Sequence, residues 1–157
     1  MTESLQAPKL ITVFGGSGFL GRHVVRALAR RGYLVRVGCR RPDLAGHLQP
    51  LGNVGQIQAV QANLRVRWSV DRAVQGAAHV VNLVAILHQS GRQTFDAVQD
   101  FGARAVAEAA RSVGAGLTHV SAIGADKDSS SDYARTKALG EAAVRETIKD
   151  AVIMRPS

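Results

Sequence analysis

The sequence is poor in cysteine, in aromatic residues and in long apolar runs, and each shortage excludes a class of protein. A single cysteine, Cys39, rules out an internal disulfide and fits a reducing compartment. Aromatic residues make up 4% of the chain, too few for the stacking surface of a nucleic-acid-binding protein. No apolar run reaches the roughly 20 residues of a membrane span, and the first residues lack the features of a signal peptide. We therefore expect a globular cytoplasmic protein with no nucleic-acid partner.

Acidic residues are missing between Glu3 and Asp43, and this stretch holds much of the basic excess behind the net charge of +8. Arg22, Arg26 and Arg30 recur every fourth residue, so they share one face of a predicted helix. This basic helix face is either an ordinary solvated surface or a docking surface for an acidic partner or anionic lipid head groups.

Short apolar segments alternate with amphipathic ones along the whole chain. Because the apolar segments are bounded by turn residues and separated by helical patterns, they predict a parallel sheet covered by helices on both faces, which is an α/β doubly wound fold. The predicted strands are 9–14, 34–39, 56–61, 79–87, 117–122 and 151–154. The predicted helices are 20–31, 68–75, 95–113 and 131–147, with a short helical or irregular segment at 42–51 and a serine-rich flexible loop at 126–132.

A glycine triplet, Gly15, Gly18 and Gly21, joins the first predicted strand to the first predicted helix. Glycine at the first position permits the sharp turn, the second lets the backbone approach a pyrophosphate, and the third lets the helix pack closely against the strand. The free N–H groups of the helix N-terminus favour an anion there. The motif therefore predicts a dinucleotide site that also includes Ser17, Phe19 and Leu20, although a ligand-free turn is the alternative. We expect one Rossmann-like NAD(P)-binding domain over residues 1–157, without a substrate-binding part.

The second predicted strand is followed by Arg40 and Arg41, where NAD-specific sites carry an acid that holds the ribose 2′-hydroxyl. Guanidinium groups pair with a 2′-phosphate, so the sequence favours NADP(H) over NAD(H). Asn63 and Leu64 follow the third predicted strand, where the asparagine either faces the adenine ring or forms a turn. After the fourth predicted strand, Val84 and Ala85 are small enough for backbone contact with the cofactor, whereas Asn82 is either a contact residue or a buried structural amide.

Tyr133 and Lys137 stand one helical turn apart, so both point the same way. An ammonium beside a phenol favours the phenolate, and such a phenol can act as general acid or base in hydride transfer at a carbonyl. Lys137 can also reach a nicotinamide ribose. The alternative is an ordinary aromatic at the helix start and a solvated lysine. The five histidines show no metal-ligand spacing, and we predict no metal site.

Segments 13–21, 119–125 and 133–141 together resemble the atypical and extended short-chain dehydrogenase/reductase superfamily, of the NAD-dependent epimerase/dehydratase type. They are similar to a branch that contains the NADPH-binding accessory subunit of mitochondrial complex I and its bacterial relatives. The resemblance implies that the glycine loop wraps the pyrophosphate and that Tyr133 and Lys137 face the nicotinamide. It also implies a respiratory-complex or membrane-surface partner that binds the basic helix face. This chain would then lie at the inner face of the membrane.

One departure from the family bears on catalysis. Active members place a Ser or Thr just after the fifth strand to bind the substrate carbonyl, whereas Ser121 comes slightly early here. The sequence thus leaves three hypotheses. The first is an NADPH-binding accessory or assembly factor linked to NADH–ubiquinone oxidoreductase or quinone metabolism. The second is an active NADP-dependent oxidoreductase or epimerase that uses Tyr133, Lys137 and Ser121, and the third is a regulator that senses the NADP(H) state.

Overall fold

A computed structural model describes residues 7–157. Its strands are β1 (Leu10–Phe14), β2 (Leu34–Cys39), β3 (Ile57–Gln61), β4 (His79–Asn82), β5 (Gly116–Val120) and β6 (Val152–Met154). Its α-helices are α1 (Phe19–Arg30), α2 (Arg67–Ala73), α3 (Phe101–Ser112) and α4 (Asp132–Thr147). All strand pairs are parallel, in the order β3-β2-β1-β4-β5-β6. The predicted doubly wound parallel sheet is confirmed.

The sheet is covered on both faces because side chains alternate along each buried strand. On β1, Phe14 belongs to a core cluster shared with α2, α3 and α4. Its neighbour Val13 belongs to the opposite cluster, which is shared with α1 and with the 3₁₀ turn Gly46–Leu51. Both side chains are at most 1% exposed. The helices therefore lie on both faces of the sheet, as the alternation predicts.

The order of the strands reverses between the neighbouring strands β1 and β4. From the carboxyl end of β1 the chain continues towards β2 on one side, and from the carboxyl end of β4 it continues towards β5 on the other side. In open α/β sheets this switch point forms a crevice where ligands bind. The loops after β1, β2, β3 and β4 all reach this edge.

The prediction for the fourth strand is wrong at its carboxyl end. β4 stops at Asn82, whereas the apolar run continues to Leu87. The ladders with both neighbours end at this point, where Phe14 pairs with Asn82 and Asn82 pairs with His119. The Asn82 side chain then accepts a hydrogen bond from the Val84 N–H at 3.1 Å, which turns the chain out of the sheet.

The predicted helix over 95–113 begins with a π-helical turn, Asp96–Asp100, before α3 starts. This wider turn packs against α4, where a Cβ added to Gly140 would lie 2.1 Å from the Gln99 carbonyl oxygen. In the serine-rich loop, Ser131 caps α4 by accepting a hydrogen bond from the Ala134 N–H. Among residues 7–157, no helix combines the length and apolar character that crossing a bilayer requires.

Candidate functional site

The glycine motif forms a tight turn between β1 and α1. Gly15 has a φ of +78°, a conformation that glycine adopts without strain. Its N–H donates to the Gly38 carbonyl at 3.3 Å, and the Gly18 N–H returns to the Gly15 carbonyl at 3.2 Å. A Cβ on Gly15 would lie 3.1 Å from the Leu83 carbonyl carbon, so the turn also packs closely against the segment after β4.

Gly21 sets how closely α1 approaches this turn. A Cβ at Gly21 would lie 2.2 Å from the Gly15 carbonyl oxygen and 2.5 Å from the Gly16 Cα, so no larger residue fits. No side chain caps the N-terminus of α1, and its first turn carries no acid. The backbone N–H groups of that turn are therefore available to an anionic ligand, with the helix dipole favouring negative charge.

A cavity of about 350 Å³ opens beside this helix N-terminus, a volume typical of small-molecule and cofactor sites. It brings together most of the residues proposed from the sequence to contact the dinucleotide, but not Arg41, Asn82, Tyr133 or Lys137. Those lining residues are Gly15, Ser17, Gly18, Phe19, Leu20, Gly21, Arg40, Asn63, Leu64, Val84 and Ala85. Within the described part of the chain, no Asp or Glu lines this cavity.

The two arginines after β2 differ in their surroundings. Arg40 lines the cavity and is exposed. Arg41 instead lines a neighbouring recess, where its Nε and Nη2 donate to the two carboxylate oxygens of Asp43 at 2.9 and 2.6 Å. The hydrogen bond from Arg41 lowers the pKa of Asp43 from its usual range. Arg41 is thus already paired with a carboxylate and lies outside the cavity.

The two asparagines for which the sequence left alternatives have different surroundings. Asn63 lines the cavity, and its Oδ1 also accepts from the Arg65 N–H at 3.1 Å, so it forms a turn as well. Asn82 is 2% exposed, and its Nδ2 lies 3.2 Å from His119 Nδ1. Because its Oδ1 is held by the Val84 N–H, Asn82 is a buried structural amide beneath the cavity.

Ser121, Tyr133 and Lys137 do not line the cavity. Ser121 is 5% exposed, and its Oγ makes no hydrogen bond of normal geometry although it lies close enough to Glu141 to lower the pKa of that carboxyl. Its backbone N–H donates to the Met154 carbonyl at 2.7 Å, which holds it under the sheet edge. Tyr133 is half-buried, and its ring meets the edge of Phe95 with centroids 5.9 Å apart.

Lys137 is buried, so the alternative of a solvated charge is wrong. Its side chain is 2% exposed, and its Nζ donates to the Val120 carbonyl at 3.1 Å. Burial lowers the pKa of Lys137 to about 8, while the nearby Glu141 carboxylate opposes that shift. An ammonium at this position is held by the protein itself rather than directed into the cavity.

Lys137 belongs to a buried polar cluster with Glu141 and His119. Burial alone would raise the pKa of Glu141, but the hydrogen bonds from Arg155 and the nearby Ser121 hydroxyl lower it overall. The Arg155 guanidinium reaches both oxygens of Glu141, at 2.8 and 2.6 Å. Burial, together with the Lys137 charge, lowers the pKa of His119 to about 4, so its imidazole is neutral near pH 7. Within residues 7–157, no three His, Cys, Asp or Glu side chains converge as a metal site.

Sequence reasoning missed several residues of the cavity wall. Arg65 and Gln93 contribute polar side chains, and Gly38 leaves room for the Phe14 ring, which a Cβ there would meet at 2.7 Å. Arg65 is two residues beyond Asn63 in the same loop, and this proximity was a usable signal. Gln93 lies in the long loop after β4, and no local pattern places that loop at the cavity.

Comparison with known proteins identifies the family. The model of a family described as NAD(P)H-binding matches residues 15–157, which include the glycine loop and every strand after β1. The chain belongs to this NAD(P)H-binding family. It therefore carries a binding domain for a nicotinamide dinucleotide, and the resemblance to the short-chain dehydrogenase/reductase superfamily is confirmed.

One curated relative is named as a reductase and another as a subunit of NADH dehydrogenase. The chain is 37% identical over 147 residues to a ceramide reductase of Caulobacter vibrioides, an alignment that covers 94% of this chain and 45% of the relative. It is 37% identical over 149 residues to the mitochondrial NADH dehydrogenase [ubiquinone] 1 alpha subcomplex subunit 9 of Mus musculus, covering 93% of this chain and 39% of the relative. The chain spans less than half the length of these relatives.

A solved structure supports the fold. A Bacillus halodurans protein described as an NAD-dependent epimerase/dehydratase superimposes with a TM-score of 0.79. The match covers 94% of this chain and 70% of that one, at 21% sequence identity. At this level of identity the likeness is one of fold alone.

Proposed function

We propose that this chain binds NADPH in preference to NADH and serves as a nucleotide-binding accessory or assembly factor of an NADH–ubiquinone oxidoreductase or of quinone metabolism. The observation that carries the cofactor preference is the cavity wall at the end of β2. Arg40 stands there, and no carboxylate of the described residues lines the cavity to hold a 2′-hydroxyl. A guanidinium pairs with the 2′-phosphate that distinguishes NADPH.

A titration of the chain with NADPH and separately with NADH tests this preference. We expect NADPH to bind at least about tenfold tighter, because the 2′-phosphate adds a charge-assisted contact. Replacing Arg40 with serine should remove most of that advantage and leave NADH affinity within about twofold. Arg41→Ser is the matched control, since Asp43 already occupies that guanidinium. Equal affinities for the two nucleotides, or equal losses in both variants, would contradict the proposal.

The surroundings of the predicted catalytic residues support an accessory role. Ser121 is buried against Glu141, and the Lys137 ammonium is bound to the Val120 carbonyl. Neither side chain lines the cavity. The mouse relative is named as a subunit of NADH dehydrogenase. An accessory role of this kind would hold the protein at the inner face of the respiratory membrane.

An active NADP-dependent oxidoreductase or epimerase is the second candidate, because a similar relative is named ceramide reductase and Tyr133 and Lys137 lie one turn apart on α4. Replacing Tyr133 with phenylalanine separates the two functions. For an enzyme, we expect NADPH-dependent carbonyl reduction to fall by about 10² or more with NADPH affinity unchanged, since the phenol is the proton donor. For an accessory factor, the same variant should leave respiratory-complex assembly in cells unaltered.

A further inference from the structure

A second concave surface lies along α1, apart from the nucleotide cavity. This basic groove, with a volume of about 750 Å³, is bounded on one side by α1 and on the other by the 3₁₀ turn Gly46–Leu51 and the loop that follows it. Its charged wall carries Arg22, His23, Arg26 and Arg30, and His47 faces them from the 3₁₀ turn.

The opposite wall is fixed by Gln56. Its Nε2 donates to the carbonyl oxygens of Ala29 and Tyr33 at 2.7 and 3.0 Å, and its Oε1 accepts from the Asn53 N–H at 2.9 Å. These bonds tie the loop after the 3₁₀ turn to the carboxyl-terminal end of α1. The groove is therefore a defined feature of the fold rather than a gap between two loose segments.

No ion pair among the described residues engages the arginines of this groove. Ion pairs within residues 7–157 engage Arg41, Arg67, Arg104, Arg135 and Arg155, but none involves Arg22, Arg26 or Arg30. No acidic side chain of the described chain lines the groove. The three arginines are exposed. Apart from the Arg22 Nε, which lies 3.5 Å from the Gly18 carbonyl oxygen, their side-chain donors make no hydrogen bond to the described residues and can bind an external anion.

The spacing of the arginines selects the form of that anion. Residues four apart on an α-helix are separated by about 6 Å along its axis. In an extended polypeptide, side chains on one face recur about every 6.6 Å. Carboxylates at alternate positions of an extended segment therefore match the arginines nearly in register, and each can accept a bidentate pair from a guanidinium.

The shape of the groove argues against a lipid bilayer as the partner. The large exposed apolar side chains near it in the chain, Phe19, Leu44 and Val54, are 80%, 66% and 106% exposed and do not line the groove. A bilayer is also flat, whereas the charged wall here faces a second wall. We propose that the basic groove binds an extended acidic segment of a protein partner through Arg22, Arg26 and Arg30. This proposal supplies a contact surface for the proposed accessory role, but its test requires no nucleotide.

Fluorescence anisotropy with a labelled peptide of alternating glutamate and serine measures this binding directly. The variant is Arg26→Gln with Arg30→Gln, which spares Arg22 because its Nε lies 3.5 Å from the Gly18 carbonyl beside the nucleotide cavity. We expect the double variant to lose at least about tenfold in peptide affinity. Binding should weaken as salt is raised, because exposed charges are screened. NADPH affinity, measured in parallel, should not change. Failure of the proposed NADPH preference can therefore be distinguished from failure of peptide binding.

The matched control is Arg111→Gln with Arg145→Gln, which removes the same charge from exposed positions on α3 and α4. It should keep peptide affinity within about twofold. If both double variants lost peptide affinity equally, the loss would reflect net charge alone and the proposal would be overturned. Equal affinity for a peptide of the same composition with contiguous glutamates would also overturn it. Binding to vesicles of phosphatidylglycerol and phosphatidylcholine that depends on Arg26 and Arg30, without peptide binding, would assign the groove to a membrane instead.

Discussion

Replacing Gly21 with alanine is expected to abolish dinucleotide binding and to destabilise the protein by about 3 kcal/mol or more. The added Cβ would lie 2.2 Å from the Gly15 carbonyl oxygen and 2.6 Å from the Gly16 carbonyl carbon. Both contacts are with backbone, which cannot rotate away as a side chain does. The first turn of α1 must therefore move off the glycine loop, and its N–H groups then no longer point at the bound pyrophosphate.

Urea unfolding and a nucleotide titration measure the two effects of Gly21→Ala separately. Gly18→Ala is the matched control for the unfolding measurement alone, since a Cβ there would meet only the Gly15 carbonyl oxygen, at 3.4 Å, whereas its backbone is predicted to face the pyrophosphate. The φ of Gly18 is −80°, which any residue adopts. We expect this control to cost no more than about 1 kcal/mol, the loss of glycine at a helix N-cap. Unchanged stability of Gly21→Ala would show that the close approach of α1 is not essential.

Much of the fold could be predicted because its strands are apolar segments bounded by glycine or turn residues. β2 occupies Leu34–Cys39 as predicted, and Gly32, with a φ of +82°, ends the segment before it. The end of β4 could not be predicted in the same way. Residues 83–87 are as apolar as a strand, but the ladders with both neighbours end at Asn82. After the Leu83 N–H has donated to the Phe14 carbonyl at 2.9 Å, the chain turns out of the sheet.

The glycine motif is a local signal, and the residues that it predicted for the dinucleotide site all line the cavity. Gly15 and Gly21 are required by the backbone around them, and this requirement is visible in the sequence as a fixed spacing of glycines. The buried cluster could be anticipated only in part. Lys137 and Glu141 are one helical turn apart, but their partners His119 and Arg155 come from β5 and from the segment after β6. Only the sheet order brings those three elements together.

The burial of Lys137 should make the stability of the protein rise in alkaline solution. Its pKa is about 8 in the folded chain and 10.5 in the unfolded one. Between these values the unfolded state binds a proton that the folded state has released, so the free energy of unfolding increases with pH by about 1.4 kcal/mol per unit. Lys137 alone accounts for a gain of about 3 kcal/mol across this window, and below it the buried ammonium carries the full cost.

Comparison of the wild type with Lys137→Met isolates this contribution, because all other titrating groups are common to both proteins. We expect the difference in unfolding free energy, measured by urea denaturation, to change by about 3 kcal/mol between the two pKa values, in favour of the wild type at higher pH. His119 does not interfere, since its lowered pKa of about 4 affects stability only on the acid side. Parallel curves for the two proteins would mean that Lys137 titrates normally in the folded chain.

Glu141→Gln tests whether the Glu141 carboxylate keeps the pKa of Lys137 from falling below about 8. The Glu141 carboxylate is the group that opposes the effect of burial on the lysine pKa. Without it, the folded-state pKa of Lys137 should fall further, so the rise in stability should begin at a lower pH. The loss of the pair with Arg155 is a smaller effect, because that guanidinium side chain is 47% exposed. An unshifted onset would show that Glu141 acts on Arg155 alone and does not stabilise the Lys137 ammonium.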